Sequence, residues 1–285
     1  LLSNEISDKN IFVQKDYSIP KQVKKFKPLC LFISYSGNTE ETLSGISDAK
    51  RNNFDWIVIS SGGKLIDMAN EEGKEFIKIP SGLQPRAAFG YLTLAVSKIV
   101  DIVEGSNYVS QLNDVSLYID KLSDKGDESD INKLSIDICE SINKKTVIIY
   151  SGTDMSRVVS SRWKTQINEN AKSKAFIGNL PEVHHNEILS WDADKDGSKK
   201  NYIVIFIRDQ NEHPQIKKRF ELTKDLIGEK VNITEVNIAN QESTLKTLLE
   251  LVLLGDLVSL NLAAKLAVNP NNIDTIEKLK KLLGG

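Results

Sequence analysis

A cluster of small polar residues directly follows one apolar run, and their types suit the binding of an anion. The run Cys30–Ile33 is typical of a buried strand, and after it come Ser34, Ser36, Gly37, Asn38 and Thr39. In parallel α/β sheets, ligands bind beyond the carboxyl ends of the strands. A helix that begins there offers backbone N–H groups and the positive end of its dipole to an anion, and hydroxyl groups add neutral donors. The stretch therefore indicates a phosphate-binding turn.

The same residues allow a plainer interpretation, in which they only begin a helix. Asn38 would cap the helix, and Glu41, three residues later, would complete a capping box. The stretch has neither the lysine of a P-loop nor the three glycines of a dinucleotide fingerprint, so both nucleotide-binding motifs are disfavoured. From spacing alone, the phosphate-binding turn and the helix cap both stay open.

A glutamate and a pair of histidines are the candidates for proton transfer. Glu169 lies in the stretch QINENAK, near the end of a predicted helix that carries Trp163 and Ile167 as apolar contacts. A carboxylate can move protons when its surroundings tune its pKa, although an ordinary solvated glutamate is the alternative. His184 and His185 are two of the three histidines in the chain. An imidazole can carry a proton near neutral pH.

A metal site at the histidine pair is disfavoured. Adjacent histidines face different directions on a strand or a helix, and neither Glu182 nor Glu187 completes a HExxH spacing. The stretch DADKDG at Asp192–Gly197 opens like a calcium loop. Its twelfth position would be Ile203 instead of a glutamate, so a solvated loop is the better interpretation. We therefore expect no metal.

Two cations stand at the ends of predicted helices. Arg86 precedes an apolar helix, at the end where the helix dipole disfavours a cation, which indicates a nearby anion or a simple surface ion pair. Lys265 is the last charged residue of the long apolar stretch Thr244–Val268. A cation at a helix C-terminus is stabilised by the dipole, so Lys265 requires no functional explanation.

These candidates lie between short apolar runs that alternate with stretches of helical periodicity. Strands are predicted at Asn10–Tyr17, Leu29–Ser34, Trp56–Ser60, Phe76–Pro80, Thr146–Gly152, Ala175–Gly178, Tyr202–Arg208 and Val231–Ile238. Helices are predicted at Thr39–Arg51, Leu65–Glu72, Arg86–Val103, Val115–Leu122, Ile131–Ile142, and after Gly152 through Trp163. Such alternation predicts an α/β fold with mostly parallel sheets that helices cover on both faces. The polar stretch Ser123–Asp130 predicts a linker between two halves of this kind.

The composition excludes several classes of protein. The chain has 285 residues, enough for about two domains. Its formal net charge of −2 gives no basic surface for nucleic acid or an anionic membrane. The two cysteines, Cys30 and Cys139, lie far apart in apolar stretches, which indicates a cytoplasmic protein instead of a disulfide framework. Lys246, Glu250 and Asp256 interrupt the most apolar stretch, so we expect a packed core helix there and no membrane span.

Motifs spread along the chain resemble those of a known family. The stretch SYSGNTEET at Ser34–Thr42 resembles the phosphosugar-binding signature of sugar isomerase (SIS) domains. Four further stretches come in the same order as in the bifunctional phosphoglucose/phosphomannose isomerases, namely Pro80–Leu92, Ser161–Phe176, Asn179–Ile188 and Leu253–Pro270. The resemblance spans almost the entire chain. The family's first strand and its Gly-Gly-Ser loop are expected just before Leu1, outside this sequence.

The resemblance implies a fold, an activity and an assembly. It implies two sugar-isomerase subdomains, residues 1–126 with the phosphosugar site and residues 127–285 with the base and the ring-opening residues. The activity would be an aldose–ketose isomerisation without a cofactor, in which glucose 6-phosphate and mannose 6-phosphate interconvert with fructose 6-phosphate through a cis-enediol. The protein would be a homodimer with an active site shared between subunits. A non-catalytic sugar-phosphate-binding regulator is the alternative, and the isomerase part of an amidotransferase is a third.

The resemblance also assigns substrate-binding residues. Ser34, Ser36 and Thr39 would hold the phosphate, and Ser259 would line the pocket near C2 of the sugar. Arg86 would stabilise the negative charge of the enediolate, in the manner of an oxyanion site.

Three further positions are assigned to proton transfer and ring opening. Glu169 matches the family's base, and Lys265 matches its ring-opening lysine. His185 aligns with the functional histidine, whereas His184 replaces a family asparagine. Which of the two imidazoles acts therefore stays open.

Overall fold

The computed structural model describes residues 10–124, 126–192, 197–237 and 243–283. Two sequence predictions extend beyond these ranges. The last residue of the predicted strand Val231–Ile238 and most of the stretch Asp192–Gly197 lie outside the described residues.

The described chain alternates strands with helices. The strands are β1 (Cys30–Ile33), β2 (Trp56–Ser60), β3 (Phe76–Lys78), β4 (Thr146–Ser151), β5 (Ala175–Asn179), β6 (Tyr202–Ile207) and β7 (Asn232–Val236). The helices before β4 are α1 (Lys21–Lys24), α2 (Glu40–Arg51), α3 (Lys64–Glu71), α4 (Phe89–Glu104), α5 (Tyr108–Ser123) and α6 (Asp130–Ile142). The later helices are α7 (Asp154–Ala171), α8 (Ser198–Asn201), α9 (Pro214–Ile227), α10 (Thr244–Lys265) and α11 (Asp274–Leu282). Short 3₁₀ turns lie at Pro85–Ala88, Gly126–Glu128, Glu182–His185 and Glu187–Asp192.

The described residues divide into two compact units. The first unit contains residues 10–112 and 275–283, and the second contains residues 113–274. The sheet of the first unit has the strand order β1-β2-β3, and the sheet of the second has the order β5-β4-β6-β7. All of these strand pairs are parallel, which confirms the predicted α/β fold. The division between the units falls within helix α5, after residue 112. The domain boundary between residues 126 and 127, which the family resemblance implies, stays a prediction.

In the first unit, helices cover both faces of the sheet. On one face, Val58 of β2 packs with Ile46 of α2 and Leu65 of α3. On the other face, the neighbouring Ile59 packs with Ile99 of α4. Because successive strand residues point to opposite faces, the continuous apolar run of β2 serves both cores.

In the second unit, two cores flank the sheet in the same way. Ile205 of β6 packs on one face with Trp163 of α7 and Leu251 of α10. Phe206 packs on the other face with Phe220 of α9, with the ring centroids 5.0 Å apart.

Helix α10 approaches α7 very closely. A Cβ atom added at Gly255 would lie only 2.2 Å from Nε1 of Trp163, so only glycine fits there. The Trp163 N–H donates to the carbonyl oxygen of Leu251 over 2.8 Å. By length and composition α10 passes as a candidate membrane span, but 56% of its most apolar window is buried inside the unit. The burial is that of the core helix expected from the sequence.

The predicted strand Asn10–Tyr17 is wrong, because these residues form no strand. Phe12 and Val13 are both exposed, at 59% and 73%, so the apolar side chains of the segment do not line a core. The backbone after the segment is fixed by a buried carboxylate instead of a sheet partner. Asp48 of α2 accepts a hydrogen bond from the Ile19 N–H over 2.9 Å.

Candidate active site

The predicted phosphate-binding residues form one turn at the carboxyl end of β1. We call residues 34–39 the hydroxyl turn. The hydroxyl oxygens of Ser34 and Thr39 are hydrogen-bonded at 2.6 Å, and Ser36 Oγ accepts from the Asn38 N–H over 3.3 Å. Ser34 is buried, whereas Ser36 and Thr39 are exposed. The turn therefore joins the end of the strand to the start of α2 and presents hydroxyl groups to solvent at that junction.

The alternative that Asn38 caps α2 is wrong. The residue before the helix is Thr39, and its side chain makes no capping hydrogen bond. The Asn38 side chain is engaged elsewhere, because its Oδ1 accepts from the Lys64 N–H at the start of α3, over 3.0 Å. The hydroxyl of Thr39 bonds to Ser34 and not to the helix backbone, so the start of α2 has no side-chain cap from this residue.

A second turn lies against the first, and the sequence reasoning missed it. Residues 60–63, which we call the serine–glycine turn, begin at the last residue of β2 and end just before α3. The Ser61 N–H and hydroxyl both donate to the Tyr35 carbonyl oxygen, over 3.0 and 2.6 Å. The buried Ser60 hydroxyl donates to the carbonyl oxygen of Gly62 over 2.7 Å. Two serines followed by two glycines after an apolar run were a visible signal for such a turn.

Two glycines make the close approach of these turns possible. Gly37 has φ +70°, and a Cβ atom there would lie 1.7 Å from the Gly62 carbonyl oxygen. Gly63 has φ +74°, and a Cβ atom there would lie 2.4 Å from the Ser36 carbonyl oxygen. Any other residue would be strained by the left-handed backbone and would also push the turns apart.

Arg86 lies on the third loop of the same unit. It belongs to the 3₁₀ turn Pro85–Ala88 that leads into α4, and it is partly buried. The loop before it is tied to the hydroxyl turn, because the Tyr35 hydroxyl accepts from the Leu83 N–H over 2.7 Å. Tyr35 thus links the loops that follow β1, β2 and β3. The first unit brings the hydroxyls of the hydroxyl turn and the loop of Arg86 to the carboxyl ends of its strands, as an anion site requires.

Glu169 lies in the last turn of α7 and is half-buried in the second unit. Helix α7 begins with a capping box, in which the Thr153 hydroxyl accepts from the Ser156 N–H over 3.1 Å. The residue after Glu169 is held from α10, because Asn170 Nδ2 donates to Ser259 Oγ over 2.9 Å. The hydrogen bond fixes the turn of α7 that carries the carboxylate.

Ser259 itself is fully buried, and its hydroxyl donates to the Asp256 carbonyl oxygen over 2.8 Å. The Asp256 carboxylate accepts two hydrogen bonds from Arg162, over 3.1 and 2.8 Å, and one from Gln166 over 2.8 Å. These contacts form a polar row between α7 and α10. Contact between Ser259 and a substrate stays a prediction.

Lys265 lies at the end of α10. Its ammonium group pairs with the carboxylate of Glu140 on α6. Near the end of α7, Lys172 donates to the carbonyl oxygens of Glu169 and Pro270. Lys172 therefore joins the last turn of α7 to the segment that follows α10.

The two adjacent histidines have different surroundings. Both ring nitrogens of His184 lie at hydrogen-bond distance from α9, Nε2 at 2.7 Å from Thr223 Oγ1 and Nδ1 at 3.0 Å from Arg219 Nη1. His185 is exposed, and within the described ranges its ring has no hydrogen bond. Burial comes first and the Arg219 charge second among the causes that lower the pKa of His184.

The two units hold different chemistry. The first unit carries hydroxyl donors, helix N-termini and an arginine, which suit a bound anion. The second unit carries a half-buried carboxylate, an exposed imidazole and a lysine, which suit proton transfer. Within the described residues, no group of three or more His, Cys, Asp or Glu side chains could hold a metal ion.

The chain is similar to proteins that act on sugar phosphates. Residues 131–283 match the model of the bacterial phospho-glucose isomerase C-terminal SIS domain. The chain is 34% identical to the bifunctional phosphoglucose/phosphomannose isomerase of Aquifex aeolicus, over 99% of this chain and 84% of that protein. It is 31% identical to the D-glucosamine-6-phosphate 4-epimerase of Sulfolobus acidocaldarius, over 91% of this chain and 79% of that protein.

A solved structure shares the fold. The glucosamine-6-phosphate deaminase of Thermotoga maritima superposes with a TM-score of 0.61 and 15% identity, over 92% of this chain and 74% of that protein.

Proposed function

The chain belongs to the family of bifunctional phosphoglucose/phosphomannose isomerases, and we propose that it interconverts glucose 6-phosphate and mannose 6-phosphate with fructose 6-phosphate. The observation that carries the proposal is the hydroxyl turn. It joins the carboxyl end of β1 to the start of α2, and its Ser34 and Thr39 hydroxyls are bonded to each other and not to the helix backbone. A phosphate group needs such donors and carries enough charge to benefit from the helix dipole.

The phosphate would be bound by the first unit. Ser36 and Thr39 are exposed and would donate to phosphate oxygens, while the buried Ser34 would orient Thr39. Because uncharged hydroxyl groups bind the phosphate, the cationic side chains stay available to stabilise the reacting end of the sugar. Arg86 would serve that end, where negative charge develops on the enediolate.

The chemical steps require ring opening followed by movement of a proton between C1 and C2. We assign proton transfer to Glu169, whose carboxylate is half-buried in the last turn of α7. Ring opening is assigned to His185 and Lys265. In the conversion of the aldose to the ketose, C1 is reduced and C2 is oxidised within the same molecule. The reaction has no net redox change, so it requires no cofactor.

Turnover of both aldose phosphates follows from the same intermediate. Glucose 6-phosphate and mannose 6-phosphate differ only in configuration at C2, and both give the same ketose. An enzyme accepts both when the open-chain intermediate can rotate before the proton returns. The predicted position of Ser259 near C2 belongs to this step.

The proposal is tested by measuring fructose 6-phosphate formation from each aldose phosphate, with and without a chelator. The variant Glu169→Gln keeps the shape of the side chain and removes its basicity. We expect it to lose about 10²–10⁴-fold in kcat while phosphosugar binding is retained. Glu229→Gln makes the same chemical change at an exposed glutamate and should behave like the wild type.

Three outcomes would contradict the proposal. Sugar-phosphate binding without turnover would point to the regulatory alternative. Conversion of glucosamine 6-phosphate into its C4 epimer, with no ketose formed, would point to an epimerase. Full turnover by Glu169→Gln would remove Glu169 from the mechanism.

We also propose a cytoplasmic homodimer in which His185 acts in the partner's active site. The exposure of His185 supports the shared site, and the two unpaired cysteines, Cys30 and Cys139, support the location. The shared site predicts complementation between two inactive variants, Glu169→Gln and His185→Ala. Random reassortment of their subunits would restore one intact site in each mixed dimer, or about a quarter of wild-type activity. Absence of any recovery after subunit exchange would contradict the shared site.

A further inference from the structure

We propose that His184 is a positioning residue, which Arg219 and Thr223 of α9 hold in place so that His185 is the imidazole presented for the reaction. The proposal rests on the proposed function, because it assigns the acting histidine. It concerns the 3₁₀ turn Glu182–His185, which we call the histidine turn.

The hydrogen bonds determine the protonation state of His184. The Thr223 hydroxyl has one hydrogen, which it donates to the Arg219 carbonyl oxygen over 2.7 Å. The Thr223 hydroxyl oxygen lies 2.7 Å from His184 Nε2 and has no hydrogen left to donate, so Nε2 must be the donor of that contact. Arg219 Nη1 can only donate, so Nδ1 of His184 must be the acceptor at 3.0 Å. His184 is therefore the neutral Nε2–H tautomer.

A ring held in this way cannot act as the acid or base. Nδ1 could accept a proton only by giving up its contact with Arg219, and the cationic ring would then face a guanidinium group. Thr223 is fully buried, so the Nε2 contact is closed to substrate. The lowered pKa of His184, caused by burial, Arg219 and His185, agrees with a ring that stays neutral.

Two further contacts fix the backbone before His185. Val183 is 2% exposed and packs beside Gly178 of β5, where an added Cβ atom would lie 2.8 Å from Val183 Cγ2. The His184 N–H donates to the Pro181 carbonyl oxygen over 3.0 Å. Val183 thus enters the core, His184 bonds to α9, and His185 is the next residue and is exposed.

The chain after His185 is held as well. Glu187 accepts a hydrogen bond from the Tyr150 hydroxyl over 2.7 Å, and that hydroxyl oxygen accepts from the Trp191 N–H over 3.1 Å. The histidine turn is therefore anchored on both sides, and the direction of the His185 side chain depends on these anchors. A catalytic group that shifts by about 1 Å can lose about 10²-fold in rate.

A pair of substitutions at Thr223 separates the hydrogen bond from the packing. Thr223→Val keeps the volume and removes the hydroxyl, whereas Thr223→Ser keeps the hydroxyl and removes a methyl group. We expect Thr223→Val to lower kcat for both aldose phosphates by about tenfold or more, with KM changed less than about twofold. Thr223→Ser should keep the wild-type kcat, although it loses a buried methyl group and should melt at a lower temperature.

A second measurement does not depend on activity. Nitrogen-15 NMR of the wild-type histidine side chains at pH 7 should show His184 as the neutral Nε2–H tautomer. In Thr223→Val, the Nε2–H of His184 loses its acceptor and its resonance should move. A Thr223→Val variant that has lost its fold would be recognised by circular dichroism, and Arg219→Met then replaces it as the test, with the same expected loss in kcat.

Several results would overturn the proposal. These are a wild-type kcat in the folded Thr223→Val variant, an equal loss in Thr223→Ser, or a cationic or Nδ1–H form of His184 in the spectrum. A wild-type protein that turns over neither aldose phosphate would defeat the proposed function instead. The NMR result would still decide whether the anchor exists.

Discussion

Gly37→Ala tests whether the two turns of the first unit form the phosphate site. Gly37 has φ +70°, and its missing side chain leaves room for the Gly62 carbonyl oxygen. An added Cβ atom would lie 1.7 Å from that oxygen, and real contacts of this kind are not shorter than 3.0 Å. The hydroxyl turn and the serine–glycine turn would therefore have to separate by at least 1.3 Å, the difference between these two distances.

The expected effect has two parts. The left-handed backbone alone costs about 1 kcal/mol for alanine. The separation also weakens the hydrogen bonds from Ser61 to the Tyr35 carbonyl oxygen and from Lys64 to Asn38, so we expect a total loss of about 2–4 kcal/mol in the free energy of unfolding. The Ser34–Thr39 pair would move with its turn. A displacement of about 1 Å in a binding site predicts a loss of about 10²-fold in kcat/KM.

The control is Gly73→Ala. Gly73 has φ +60°, and an added Cβ atom there meets nothing within 4 Å. It isolates the backbone strain, so we expect a loss of about 1 kcal/mol in stability and an unchanged kcat/KM. The assays are fructose 6-phosphate formation, competitive inhibition by inorganic phosphate, and denaturant unfolding of both variants. Wild-type kcat/KM and phosphate affinity in Gly37→Ala would refute the assignment of the site, and so would an equal loss of both in Gly73→Ala.

Three further predictions concern the second unit. Arg208→Met should cost about 3–5 kcal/mol in the free energy of unfolding, because the carboxylate of Glu212, whose side chain is 1% exposed, would lose its cationic partner and keep only the hydrogen bond from the Asp209 N–H. Denaturant titration measures the loss, and the added Glu212→Gln should recover part of it. Stability should fall as the pH drops below about 6.5, the ordinary pKa of histidine, because the lowered pKa of His184 means that the folded state binds fewer protons than the unfolded state. His184→Asn should make the free energy of unfolding depend less on pH in this range, and an unchanged pH dependence would contradict the prediction. Ser259→Ala removes the acceptor of Asn170 and should cost about 1–3 kcal/mol; a changed ratio of mannose to glucose 6-phosphate turnover would support contact with C2, and an unchanged ratio would indicate a purely structural role.

The strands that are buried on both faces could be predicted from the sequence. Trp56–Ser60 was predicted at the bounds that β2 has in the structure, and the predicted Tyr202–Arg208 is one residue longer than β6. Both are continuous runs rich in Val and Ile, which a parallel sheet requires. The segment Asn10–Tyr17 was apolar enough for a strand. A strand also needs a neighbouring strand to bond to, and the residues of the segment itself do not show whether one is present.

The hydroxyl turn was predictable because its signal is local. The serine–glycine turn at residues 60–63 was missed because its importance comes from β2 being the neighbour of β1, and strand order is not written in either segment. The different states of His184 and His185 were unpredictable for the same reason. Their distinction depends on Arg219 and Thr223, which lie more than thirty residues away in the chain.

The isomerase proposal is tested most directly by incubating the protein with fructose 6-phosphate in heavy water and following the products by proton NMR. We predict that glucose 6-phosphate and mannose 6-phosphate both appear and that both carry deuterium at C2. The base takes a proton from C1, exchanges it with the solvent, and then delivers a deuteron to C2 of the cis-enediol. Formation of neither aldose phosphate would contradict the isomerase. Formation of a single epimer would contradict the dual specificity.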